Sequence, residues 1–135
     1  DVDANGRLLY PVDRRTAMAL RKLVDSIRKP VEVLDREQLV AFCEGLDVTP
    51  LDQMPLRVPI KIAGEINAIR LVPRAGAPAL EVTIGDGRGR AVAVFLGRRT
   101  IPGMTPGRRL VAEGVAVPHG PTRAIYNPRY RFLPR

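Results

Sequence analysis

The sequence predicts an α+β protein: a helical segment over residues 1–56, followed over residues 57–135 by a small five-stranded Greek-key β-barrel. Three observations carry this expectation. Apolar residues recur at three- and four-residue spacing as far as about Cys43, and from Val58 they alternate with polar or small residues in short runs. Clusters of glycine and proline then separate those runs. Helices first and strands afterwards is the α+β order, not the interleaved one that builds parallel sheets. At 135 residues the chain holds one domain, or one small domain with an appendage.

A first helix is expected from Asp13 as N-cap, with Ala17, Leu20, Val24 and Ile27 as its apolar stripe and Pro30 as its stop. For a second, Asp35 with Gln38 three residues on reads as a capping box, Leu39, Val40, Phe42 and Cys43 supply the apolar side, and Gly45 ends it. Thr49-Pro50 then reads as a cap with proline at the first helical position, opening one more turn to about Gln53.

Past Arg57 the period changes. Val58, Ile60 and Ile62 alternate, and after Gly64 the apolar phase shifts through Ile66 to Ile69 and Leu71, which predicts one long strand with a bulge or bend. Residues 73–78 read as a loop, Leu80, Val82 and Ile84 as the second strand, and residues 85–89 as a hairpin connection. Val92, Val94 and Leu96 form the apolar face of a third strand; after a glycine- and proline-rich connection come a fourth, residues 110–117, and a fifth, residues 123–126. A long bent first strand and a main interruption after the third match the oligonucleotide/oligosaccharide-binding (OB) barrel. The helical extension is expected to pack on it, because a barrel this short buries only about 60% of its unfolded surface.

The net charge of +8 is uneven. Residues 1–57 carry nine Lys/Arg against ten Asp/Glu, whereas residues 58–135 carry thirteen against four. A field of that kind favours polyanions. Codon usage accounts for arginine over lysine, but not for the shortage of acids after Val58. No apolar run approaches the roughly 20 residues that span a bilayer, so no membrane partner is expected. The single cysteine, Cys43, cannot form an internal disulfide; this fits a reducing, cytoplasmic setting, with the thiol as a small buried hydrophobe.

On barrels of this kind ligands cross the face of strands 2 and 3, between the loops joining strands 1–2 and 4–5. If Val82 and Val94 face the core, alternation points Glu81, Thr83, Ala91, Ala93 and Phe95 outward. Phe95 is then the expected stacking ring, Arg74, Arg90 and Arg123 the phosphate contacts, and Glu81 a cross-strand partner for one of the cations. The terminal run from Tyr126 through Arg129 and Tyr130 mixes rings with cations as base stacking requires, and Arg98 and Arg99 add charge in the connection. Arg108 and Arg109, if both in a strand, point to opposite faces. His119 is expected as an exposed turn residue. One histidine and one cysteine make no zinc-type cluster, residues 85–89 read as a hairpin and not a phosphate loop, and neither catalysis nor a cofactor is expected.

Three stretches, Pro78–Gly89, Val94–Gly107 and Ile125–Tyr130, together resemble the small OB-fold proteins of actinobacteria; the likeness runs back through Leu34–Leu39 and Thr49-Pro50 to about Leu20. More distantly, the layout is similar to the wedge domain of branch-migration helicases and to anticodon-binding domains of some aminoacyl-tRNA synthetases. Phe95 stands where such proteins often carry tryptophan, and the segment before Leu20 has no counterpart. The resemblance implies a non-enzymatic module binding single-stranded or irregular DNA or RNA. The alternative is an adaptor whose basic face docks an acidic protein, or a chain that self-associates through its helices.

Overall fold

The computed structural model describes residues 33–134; the expected first helix, from Asp13, lies outside them. The chain divides into two units, Asp1–Asp35 and Arg36–Arg135, and all the described strands lie in the second. Residues 36–56, assigned from sequence to the extension, belong to the same unit as the strands.

Helix α1 is already helical at residue 33 and continues to residue 44. Asp35 therefore sits inside the helix and is not its cap: an exposed aspartate within a helix shows the same spacing to Gln38 as a capping box does. The helix stops where expected, its last turn closed by the Gly45 amide donating to Ala41 O at 3.2 Å. Leu39, Phe42 and Cys43, with Leu46 and Val48 beyond the helix, pack against Ala63, Val111 and Leu133 of the strand unit. Burial pushes the Cys43 thiol above its ordinary pKa, reinforced by the negative charge of Asp86. Cys43 is 6% exposed. Native protein is therefore expected to react with iodoacetamide at neutral pH far more slowly than urea-unfolded protein, as mass spectrometry would show; equal rates would refute this burial.

Six strands follow: β1 (Pro59–Arg74), β2 (Ala77–Gly85), β3 (Arg90–Leu96), β4 (Arg109–His119), β5 (Thr122–Tyr126) and β6 (Arg129–Phe132). They form one sheet in the order β1-β2-β3-β5-β4-β6, and an additional β1–β4 pairing closes the first five into a hydrogen-bonded ring. All pairings are antiparallel except β3–β5. β1 achieves closure by serving two partners. Its first half, Pro59 to Glu65, pairs β4, and its second half, Glu65 to Arg74, pairs β2, with the register slipping between Ile66 and Ala68. The expected bend and bulge are therefore present, the slip falling at Asn67.

The expected count of five strands misses β6. This short strand continues the chain past Tyr126 and pairs β4 from Leu110↔Phe132 to Glu113↔Arg129. Two loops are tighter than expected. The six-residue loop at 73–78 is a two-residue turn, Ala75-Gly76, with φ of 48° and 81°, as a primed hairpin turn requires. Pro73 and Pro78 face each other one pair before the end of the ladder, which is Arg74↔Ala77. The β4–β5 loop likewise shrinks to Gly120-Pro121, which leaves Pro118 and His119 in β4.

The largest correction concerns β3. Val82 pairs Ala93 and Ile84 pairs Ala91, so Ala91, Ala93 and Phe95 face the interior with Leu80, Val82 and Ile84. Val94 lies on the opposite face beside Ala79 and Ala124. Cross-strand partners share a face, and this pairing puts Val82 and Val94 on opposite sides.

The interior also takes in Leu51 and Met54, 5% and 1% exposed, from the 3₁₀ turn Leu51–Gln53 and the residue after it. Thr49 does not cap this turn; Pro50 occupies the cap position and no side chain of the segment caps it. The Leu51 amide instead donates to Asp86 Oδ2 at 2.8 Å, from the β2–β3 hairpin. The same carboxylate accepts the Arg88 and Gly89 amides on Oδ1, each at 2.9 Å. One buried aspartate thus closes the hairpin and pins the preceding turn to it.

Candidate nucleic-acid interface

The β1–β2 and β4–β5 hairpins bring their ends together on the outer side of the ring. Arg70 lies directly across the ladder from Glu81, and the outward parity of that row includes Arg74, Thr83, Arg90, Val92 and Val94. Glu81, only 8% exposed, is the centre of the polar cluster. Its Oε2 lies 3.3 Å from Arg70 Nη2, and its Oε1 lies 3.3 Å from Arg74 Nη2 and 3.1 Å from His119 Nε2. Arg74 Nη1 donates to Tyr126 Oη at 2.9 Å, with the guanidinium 5.5 Å from the ring centroid. Tyr126 Oη is 3.4 Å from His119 Nδ1. A consistent proton assignment runs from Arg74 to Tyr126, to His119, to Glu81, with the His119 proton on Nε2.

The electrostatics follow from these contacts. A nearly buried carboxylate without cations would be strongly unfavourable; here two guanidiniums and an imidazole converge on it. The cluster retains excess positive charge, and Arg70 keeps 76% of its side chain exposed. The hydrogen bond to Tyr126, and secondarily the one to Glu81, hold the Arg74 guanidinium above its already high pKa, so it stays charged. Glu81 therefore fixes the geometry of the arginines. The expectation of a cross-strand partner for Glu81 holds, with Arg70 and Arg74 as the partners and not Arg90.

The structure gathers some of the sequence-predicted residues and scatters others. Arg74 and Tyr126 are in direct contact. Arg90, exposed, lies on the same face at the start of β3, four positions before Val94, the residue opposite Glu81. Arg98 and Arg99 are exposed just after Gly97, whose amide donates to Pro78 O at 2.8 Å, which places them at the β1–β2 turn end. Arg123 shares parity with buried Ile125, and its guanidinium donates to the Met54 carbonyl, so it holds the 3₁₀ turn and is not on this face.

Phe95 is 6% exposed in the interior and is no stacking platform. Tyr130, on β6, meets it edge-to-face at 5.4 Å and 82°, and meets Phe132 at 5.7 Å and 71°. The three rings form a packed row. Arg129 is exposed opposite Glu113, away from the hairpin cluster.

Sequence reasoning missed Arg70 and His119. Both were recoverable from hairpin register: a two-residue turn at Ala75-Gly76 sets Arg70 opposite Glu81, and one at Gly120-Pro121 keeps His119 within β4 instead of in an exposed turn. Among the described residues no three His, Cys, Asp or Glu side chains gather as a metal site would need, and no helix is long and apolar enough to cross a membrane. No family model matches the chain, and no curated protein is significantly similar to it.

Proposed function

We propose that the strand ring is an OB-type barrel that binds nucleic acid, single-stranded or irregular and with little sequence preference, without catalysing a reaction on it. The observation that carries this reading is the Arg70–Arg74–Glu81–His119–Tyr126 network between the β1–β2 and β4–β5 turns. The strand 2–3 face flanked by those two turns is where barrels of this type take their ligands. The ring order β1-β2-β3-β5-β4-β1 and the bent, doubly paired first strand support the OB assignment. So does the surplus of thirteen basic over four acidic residues after Arg57.

With Phe95 in the interior, stacking on this face falls, among the described residues, to Tyr126, half-buried and already engaged by Arg74. Binding is therefore dominated by charge, which makes it tolerant of sequence and sensitive to salt. Contact with roughly four to six phosphates gives a log–log salt slope of about −3 to −4 on single strands. Fluorescence anisotropy with single-stranded DNA, duplex DNA and RNA across a salt series measures this directly. Arg74→Gln should weaken binding to all sequences alike and make the slope shallower by about one. A complex whose affinity ignores salt, or an Arg74→Gln variant that binds as the parent does, would overturn the assignment of this face.

A further inference from the structure

The opposite end of β4 holds a second basic site. A cleft of about 420 Å³ lies where the connection enters β4 and β6 leaves it; among the described residues its lining is Arg108, Arg109 and Thr105 with proline, glycine and leucine, and no carboxylate. The sequence places these two arginines on opposite faces only if both lie in a strand; Arg108 precedes β4, whose first residue is Arg109, and both line the cleft. Each guanidinium is stacked on a ring: Arg108 lies 4.6 Å from the Phe132 centroid and Arg109 4.5 Å from that of Phe42. These contacts restrain both groups, so less rotamer freedom remains to be lost on binding.

Their partners differ. Arg109 Nε reaches Glu65 Oε2 at 3.4 Å, whereas Arg108 makes no ion pair among the described residues and its buried Nε has no hydrogen-bond partner. A partly buried guanidinium without a counter-charge is a standing electrostatic cost, and an anion in the cleft supplies that charge. The frame around it is firm. Ile66 and Arg108 are joined by the Ile66 amide donating to Arg108 O at 2.8 Å, Gly107 donates to Ile66 O at 2.8 Å, and Leu133 donates to Arg109 O at 2.9 Å.

We infer that this cleft binds a phosphomonoester group, with the Arg108 fork as the principal ligand and Arg109 as the second cation. A phosphomonoester carries about −1.5 to −2 charges at neutral pH, which suits two guanidiniums with one partial counter-charge better than a single carboxylate does. The group has two sources: the terminal phosphate of a nucleic-acid strand, or a small phosphorylated molecule. The site is separate from the hairpin cluster, since β4 places Arg109 and His119 ten residues apart, about 30 Å along an extended strand.

The test is a titration of the intact protein with inorganic phosphate, followed at the arginine Nε–Hε resonances. Saturable movement of the Arg108 signal is expected, with acetate and chloride producing far less. Arg108→Gln should weaken phosphate binding about tenfold or more, Arg108→Lys, which keeps the charge without the fork, should fall between, and Arg74→Gln should leave it unchanged. A single strand with and without a 5′-phosphate separates the two sources: a gain from the phosphate that Arg108→Gln abolishes identifies a strand terminus, and free phosphate binding with no such gain identifies a small ligand. No saturable Arg108 response to phosphate, or an equal response to acetate, overturns the inference. Circular dichroism establishes that the variants fold, and the titration of unmutated protein decides the matter if Arg108→Gln does not. Because Arg74→Gln probes only the hairpin face, failure of one site is distinguishable from failure of the other.

Discussion

Asp86→Ala is expected to lower folding stability by about 3–4 kcal/mol, read as a fall in the urea midpoint at nearly constant m-value. The carboxylate, 4% exposed, accepts three backbone amides. Losing it strands the buried Leu51 N–H, for which no other cap exists, at about 1–3 kcal/mol. The two amides of Arg88 and Gly89, nearer the surface, regain water and contribute less. Bonds to a charged acceptor are stronger than neutral ones, which sets the total near the upper end of single-residue effects. Asp86→Asn is diagnostic because it keeps one oxygen acceptor: it should fall between the parent and alanine. A loss under about 1 kcal/mol for alanine would mean that the turn and the hairpin are held by their apolar contacts alone.

Gly64→Ala should be nearly as damaging, about 3 kcal/mol, for a steric reason. Gly64 is the last β1 residue paired only with β4; the next, Glu65, is where β2 takes over. A Cβ at Gly64 would lie 2.5 Å from the Gly85 carbonyl oxygen and 2.6 Å from Ile84 Cγ2. The first contact is with backbone and cannot swing away, so the ladder at Glu65↔Gly85 must open. Thermal unfolding of the variant, together with loss of exchange protection at the Glu65–Gly85 pair, checks the account. A variant that melts with the parent would show that the corner is not closely packed. The glycine is needed for space, since its φ lies outside the left-handed range.

The sequence made the larger architecture legible because period and punctuation agree there. The bent first strand, the hairpin at residues 85–89 and the extra turn before the strands all combine a periodic signal with a glycine or proline at its end. The third strand lacked that support. Arg90 to Leu96 is apolar at almost every position and buried on both faces, so alternation cannot give its phase. Counting pairs outward from the hairpin would have given it: with Gly85 opposite Arg90, Ala93 falls opposite Val82 and Phe95 goes inward. β6 showed the opposite fault. Arg-Tyr-Arg-Phe alternates cleanly, but aromatic–basic mixtures also suit a binding tail, and the tail reading obscured a strand.

The candidate site was half readable for a related reason. Arg74 and Tyr126 are named from separate segments and Glu81 is expected to pair a cation across strands, but which cations it gathers is not read, and His119 is expected only as an exposed turn residue. A buried acid is informative through the cations it gathers, and those are set by register across three strands.

β4 pairs with β1, β5 and β6, and β3 finds its second neighbour only in β5. During synthesis the β1–β2–β3 meander therefore emerges first, with one side of β3 unpaired and Ala91, Ala93 and Phe95 uncovered. Nothing can close that side until Tyr126 has left the ribosome. An apolar strand edge held open through the making of some thirty further residues is a standing invitation to pair with another nascent chain. The proline- and glycine-rich stretch between β3 and β4 lengthens that interval, so the ring that leaves the finished protein without free edges between β1 and β5 makes its half-made form the most vulnerable one.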